Sequence, residues 1–341
     1  MPSLLDPAIL FFIFGLLAGA LRSDLEIPPQ IAKFLSLYLL MALGLKGGFA
    51  LAASGLSLAV LASLAAAVLM AFIVPLLGWQ FLKRCVAPFD AAALAAAYGS
   101  VSAVTFVTAM QHLESQGLPF GGHMAVAMVL MESPAIMVAI VLASALRRSA
   151  AAPAGSVAVQ GGGTGALLFG PLRGGSGGAI GKILHESFTN GAHLMLLGAL
   201  AIGYISGDAG KEVMQPFSGD LFKGMLAFFL LDMGLLVARN FSQARQASPA
   251  LLAYAVLAPI VHAAIALGVG ILFGMPAADV ALLMVLSASA SYIVVPAVLR
   301  SAIPEANPAI YFGLALGVTF PLNLLLGIPV YTQLALRFAG G

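Results

Sequence analysis

Read for the pattern of apolar and polar positions, the chain falls into ten long apolar runs. They lie near residues 7–22, 29–46, 55–82, 90–112, 120–146, 189–206, 219–239, 248–274, 277–300 and 308–337. Each has about 18 or more residues with almost no charge, enough for a helix to cross a hydrocarbon core about 30 Å thick. The pattern predicts an all-α membrane protein of ten transmembrane helices. Asp6 precedes the first run and the first cation is Arg22, so that run reads as the first span and not as a cleaved signal.

Composition sharpens this. Of 341 residues, 61% are hydrophobic and 8% charged, against roughly 25% charged in soluble domains. A soluble core of this size could not hide so much apolar surface. The net charge of +2 is spread over short loops with no basic stripe, which argues against nucleic acid. The single cysteine, Cys85, excludes an intramolecular disulfide and a cysteine-clustered metal site.

The cations predict an orientation. With the N-terminus outside, one side receives Arg22, Lys33, Lys83, Arg84, Arg147, Arg148, Arg173, Lys182, Arg239, Arg245 and Arg300, and the other only Lys46, Lys211, Lys223 and Arg337. Lys and Arg near span ends resist translocation, so the richer side is cytoplasmic and both termini lie outside, in a bacterial inner membrane.

The central stretch 149–183 contains Gly161-Gly162-Gly163-Thr164-Gly165 and Gly174-Gly175-Ser176-Gly177-Gly178, and reads as a flexible linker. It divides the chain into 1–148 and 184–341. Residues 174–178 fit the G-x-S-x-G form, but no strand-turn-helix context surrounds them. Gly181-Lys182 fails as a phosphate loop, with Ser176 in place of the first glycine and Ile183 in place of the magnesium-binding hydroxyl. No catalytic residue and no bound cofactor are expected.

The two halves repeat. An offset of 189 places Asp90 on Asp279, Ser100 on Ser289 and Ser102 on Ser291; nearby offsets place Gly44 on Gly234 and Pro134 on Pro321. Five spans is an odd number, so the halves must be inverted, a recurrent build of secondary transporters.

The polar residues inside the spans mark candidate chemistry. Span 4 carries Tyr98-Gly99-Ser100-Val101-Ser102-Ala103-Val104-Thr105 and span 9 carries Ser287-Ala288-Ser289-Ala290-Ser291-Tyr292. Hydroxyls two residues apart cannot share one face of a helix, which predicts that both spans break, against protein or a water-lined cavity. Broken helices crossing at the midplane would present half-helix N-termini to an anion, and hydroxyl and carbonyl oxygens to a cation such as sodium. Glu132, beside Ser133-Pro134, is a carboxylate deep in a span and a candidate for sodium or proton coupling, together with Ser287, Thr319 and Asn323. Asp232 and His262 are secondary candidates; for a lone histidine, a packed structural role is the commoner one. Gly15-x-x-x-Gly19 and Gly270-x-x-x-Gly274 predict close helix approaches.

At these residues the chain resembles the sodium-dependent bicarbonate transporter (Sbt-type) permease family, in a proteobacterial-like form. The likeness rests on Ile27-Pro28, Gly44-Leu45-Lys46-Gly47-Gly48, the span 4 run with Leu113-Glu114, Ala258-Pro259-Ile260-Val261-His262, and Leu299-Arg300-Ser301-Ala302-Ile303-Pro304-Glu305-Ala306-Asn307-Pro308. It implies spans 1, 2, 6 and 7 as a gate or scaffold, and spans 3–5 and 8–10 as a core holding bicarbonate and sodium. It also implies a homotrimer and, in some members, a PII-like regulator at the cytoplasmic side. By position it implies Gly99, Ser100, Ser102, Thr105, Ser289 and Ser291 as substrate-region residues, with Tyr292 beside them, and Glu132 as the family's acidic residue before proline. The chain departs from the family pattern at Tyr292, where the resemblance has aspartate, and at Ala103 and Val104, where it has glycine and serine.

The function expected is sodium-coupled uptake of bicarbonate or a similar small anion by alternating access. A sodium- or proton-coupled carrier of a small organic acid and a non-transporting membrane sensor of the same fold stay open at this point.

Overall fold

The structure, a computed structural model, describes residues 6–55, 57–151, 191–245 and 247–340. Most of the predicted linker, with both of its glycine runs, lies outside the described residues. No strand occurs among them. The helices are α1 (Pro7–Ala20), α2 (Pro29–Ser54), α3 (Leu58–Leu82), α4 (Pro88–Gly99), α5 (Ala103–Ser115), α6 (Met124–Ala151), α7 (Gly191–Met214), α8 (Leu221–Arg245), α9 (Pro249–Leu272), α10 (Ala277–Ala288), α11 (Val294–Ala302) and α12 (Pro308–Ala339).

Local chemistry sets where they begin. Proline stands first in α1, α2, α4, α9 and α12, where its missing N–H is not needed and its φ suits a helix. Side chains cap several of these starts: Asp6 accepts from the Ala8 N–H at 2.8 Å, Ser57 from Val60 at 3.3 Å and Asn307 from Ala309 at 3.0 Å.

Among the described residues seven helical stretches are long and apolar enough to cross a membrane, and α1 and α10 are shorter apolar helices. One stretch, Leu194–Phe241, has 48 residues; at 1.5 Å per residue that is about 72 Å, more than twice a hydrocarbon core. It is interrupted at Gly207, whose φ of 55° only glycine adopts readily, and by a π-helical segment, Gln215–Asp220.

Two faces emerge from the contacts between helix ends. At one, Arg147 pairs with Glu305 at 2.7 Å, Asp90 accepts from the Asn307 N–H at 2.7 Å and Arg239 donates to the Leu25 carbonyl at 2.8 Å. At the other, Lys46 pairs with Glu114 at 2.9 Å and Asp279 accepts from the Gly121 N–H at 2.7 Å. We call these the Arg147 face and the Lys46 face.

Glycines set the tightest seams. A Cβ on Gly15 would collide with the Leu231 carbonyl, and one on Gly19 would meet Ala238 at 2.6 Å, so α1 and α8 lie backbone to backbone and run the same way. Gly44 faces Leu196 and Ala199, and Gly48 faces Leu200 and Gly203, so α2 and α7 do the same. The first small-residue pattern therefore works within the chain, as close packing of membrane helices requires. In the second, Gly270 packs on Val280 whereas Gly274, with φ of 64°, turns the chain out of α9. The remaining helices form a second group, with α3 against α4 and α6, and α10 against α9 and α12.

Candidate functional site

Both serine-rich runs break their helices. α4 ends at Gly99, Ser100 is extended (φ −94°, ψ −179°) and α5 starts after Ser102; α10 ends at Ala288, Ser289 is extended (φ −79°, ψ 165°) and α11 starts at Val294. Backbone freed inside a membrane must find partners, and here each break supplies the other. The Ser291 N–H donates to the Ala97 carbonyl at 2.8 Å, and the Ser102 N–H donates to the Ser289 hydroxyl oxygen at 2.9 Å. The Ala288 carbonyl accepts from the Asn323 amide at 2.7 Å.

In each of the two half-helices that leave the crossing, a serine accepts from an N–H of the first turn, Ser102 as the N-cap of α5 and Ser291 from two residues before the N-cap of α11, Ile293. Ser102 Oγ accepts from the Thr105 N–H at 3.3 Å and the Thr105 hydroxyl at 3.0 Å; Ser291 Oγ accepts from the Val295 N–H at 3.2 Å. Both starts line one cavity of about 70 Å3, bounded by Val101–Val104, Met128, Glu132 and Ser291–Val294, and closed by Ser36 and Leu40 of α2 and Leu196 of α7. At about 10–15 Å3 of such space per water, it takes a few waters or one small polyatomic ion. The Tyr292 hydroxyl faces the Met233 sulfur at 3.9 Å and also the Ser102 hydroxyl, while its ring lies 5.2 Å from that of Phe320.

The cavity thus gathers Ser102, Ser291, Tyr292 and Glu132. The other predicted residues sit around it. Thr105 holds Ser102, and Ser289 ties the two breaks and donates to the Leu286 carbonyl at 2.8 Å. Gly99 packs against the Pro75 ring. The Ser100 and Ser287 hydroxyls are buried without a hydrogen-bond partner.

Thr319 bonds the Tyr98 hydroxyl at 2.7 Å and donates to the Ala255 carbonyl at 2.8 Å. Asn323, besides holding Ala288, accepts from Tyr331 at 3.2 Å. Thr319 ends one π-helical segment and Asn323 begins the next, on either side of Pro321 in α12, where the α-helical ladder cannot continue. Of the four coupling candidates, Glu132 alone lines the cavity. Asp232 lies on α8 beside Met233, outside it, and His262 is buried on α9 with its ring against the Ser287 carbonyl. Ser36 was not singled out by its sequence, although a small hydroxyl in an apolar run was a signal to be found. No group of three or more His, Cys, Asp or Glu suited to a metal occurs among the described residues.

The model of the Na+-dependent bicarbonate transporter superfamily matches residues 7–336, nearly the whole chain. The chain belongs to that superfamily. No curated protein is a significant match. Within the Na+-dependent bicarbonate transporter superfamily, the Gly44-Leu45-Lys46-Gly47-Gly48 run gains a physical meaning: Gly44 and Gly48 seat α2 on α7, Gly47 meets the Gly122 carbonyl at 3.0 Å from an added Cβ, and Lys46 reaches Glu114.

Proposed function

We propose that the chain is a sodium-coupled importer of bicarbonate or a closely similar small anion, working by alternating access in a bacterial inner membrane. The observation that carries this is one small cavity where two half-helices begin, each with a first-turn N–H bonded to a serine, and where, among the described residues, the one carboxylate on the wall is Glu132. Half-helix N-termini favour an anion by about 0.3–1 kcal/mol each at exposed sites and up to about 2 kcal/mol when partly buried.

Glu132 supplies the coupling. An anion confined with a carboxylate about 4 Å away is repelled by about 4 kcal/mol at an effective dielectric constant of about 20. A cation beside Glu132 cancels that repulsion, so each ion raises the affinity for the other. The cavity's volume favours a bicarbonate-sized anion over larger organic acids. Protonation of Glu132 would neutralise it equally well, and superfamily membership favours sodium.

In the same proposal the chain crosses the membrane ten times in two inverted halves. The supporting correspondences are pairwise: Asp90 holds the chain before α12 as Asp279 holds the chain before α6, Ser102 accepts from the first turn of α5 as Ser291 does from that of α11, and α1 lies on α8 as α2 lies on α7. The α1, α2, α7 and α8 group would be the scaffold, and the Arg147 face the cytoplasmic one, with both termini outside. A homotrimer and a PII-like regulator at the cytoplasmic face belong to this proposal through the superfamily.

The test is uptake of radiolabelled bicarbonate by proteoliposomes with and without an inward sodium gradient, for wild type and Glu132→Gln. Sodium should stimulate the wild type and leave the folded variant inactive. Uptake indifferent to sodium removes the coupling.

A further inference from the structure

A second crevice, of about 530 Å3, opens on the Lys46 face between α5, the start of α1 and the second part of α12. Its chemistry differs from that of the neighbouring cleft of about 830 Å3, where Lys46, Lys211 and Lys223 stand among Glu114, Asp208 and Asp220. Among the described residues, no Lys or Arg lines the 530 Å3 crevice and the one acidic residue there is Asp6.

The α5 wall presents oxygen lone pairs. The Thr108 hydroxyl spends its proton on the Val104 carbonyl at 2.9 Å, and the Ser115 hydroxyl spends its own on the His112 carbonyl at 2.7 Å. His112 accepts from the Gln116 amide at 2.9 Å. Between them Gln111, 5% exposed, has a buried Oε1 with no partner. A buried acceptor left unpaired is costly, and hard cations are bound by such oxygens. The C-terminal end of α5, with its partial negative charge, lies at the same mouth.

Ser115, Gln111 and Thr108 follow one another at intervals of four and three on one face of α5, and the same helix begins at Ser102, the cap at the 70 Å3 cavity. The helix has 13 residues, so the crevice and the cavity lie about 20 Å apart along it.

We propose that this crevice is an antechamber for the coupling cation, in which Gln111 and Thr108 hold sodium before it passes to Glu132. The proposal rests on the sodium-coupled reading above and adds where sodium is first held, apart from the anion.

The experiment uses full-length protein in proteoliposomes, with radioactive sodium binding and the sodium half-saturation of bicarbonate uptake measured for wild type, Gln111→Leu, Gln111→Glu and Thr108→Val. Gln111→Leu should raise the half-saturation about tenfold or more, Thr108→Val by a smaller factor, and Gln111→Glu should lower it. A second measurement covers a variant that fails to fold: in a Cys85→Ala background, Ser115→Cys should react with a membrane-impermeant thiol reagent more slowly in sodium than in choline. Wild-type sodium dependence that all three substitutions leave unchanged, or labelling at residue 115 insensitive to sodium, overturns the antechamber alone. A wild type that neither binds nor responds to sodium overturns both it and the coupling reading.

Discussion

Gly99→Ala tests whether the crossing is held in place from behind. A Cβ on Gly99 would lie 2.5, 2.8 and 2.9 Å from the Cβ, Cδ and Cγ atoms of Pro75, which sits inside α3. Carbon atoms rest at about 3.5–4.0 Å, and a proline ring has no rotamer by which to swing aside, so α3 and the end of α4 must part by about 1 Å. Overpacking of this kind costs about 1–3 kcal/mol. Gly99 directly precedes the break, so the shift also lengthens the bond from the Ser291 N–H to the Ala97 carbonyl, now 2.8 Å, beyond useful range. Its loss adds about 0.5–1.5 kcal/mol. Displacing a positioned site by about 1 Å can cost up to about 10²-fold in rate, so uptake should fall much further than stability. Position 288, which corresponds to 99 in the second half, is already alanine; the strain belongs to the Pro75 contact and not to the break itself. Thermal unfolding and sodium-driven uptake should be measured for Gly99→Ala, Pro75→Gly and the double variant, since Pro75→Gly removes all three colliding atoms. The double variant should recover at least about 1 kcal/mol relative to additivity. A Gly99→Ala protein indistinguishable from wild type, or strictly additive effects, would refute the reasoning.

Two further outcomes follow from ion pairs at opposite faces. Lys46, bound to Glu114 at 2.9 and 3.0 Å and lying 4.3 Å above the Phe222 ring, ties α2 to α5 while partly exposed. A thermal double-mutant cycle of Lys46→Met and Glu114→Gln should give a coupling of about 0.2–1 kcal/mol that shrinks with added salt; a coupling unchanged by salt counts against a solvent-screened pair. At the Arg147 face, hydrogen bonding to the Arg147 guanidinium holds the Glu305 carboxyl down to about 2 from its ordinary 4.5. A lowered carboxylate contributes stability that is fully present above about pH 4.5 and is lost as the pH falls through about 2. The difference in melting temperature between wild type and Glu305→Gln should therefore be constant from neutral pH down to about 5 and narrow below it. A difference that grows on acidification would reverse the sign.

The amino-acid sequence by itself determined an all-helical membrane protein, where its helices start, and which two runs break. These follow from local causes: long uncharged stretches, proline at the first helical position, and hydroxyls spaced two apart. It also marked Ser102, Ser291, Tyr292 and Glu132. Only the tertiary structure decided which hydroxyls face the cavity and which are spent on backbone. Thr319 and Asn323 have the oxygens of cation ligands, yet one joins Tyr98 to Ala255 and the other holds Ala288. Helical periodicity assigns side chains to faces only while the helix is continuous, and two extended segments reset that phase. The partners that fix it, such as Tyr98 with Thr319 at 221 residues' separation, meet only when two distant breaks pack against each other.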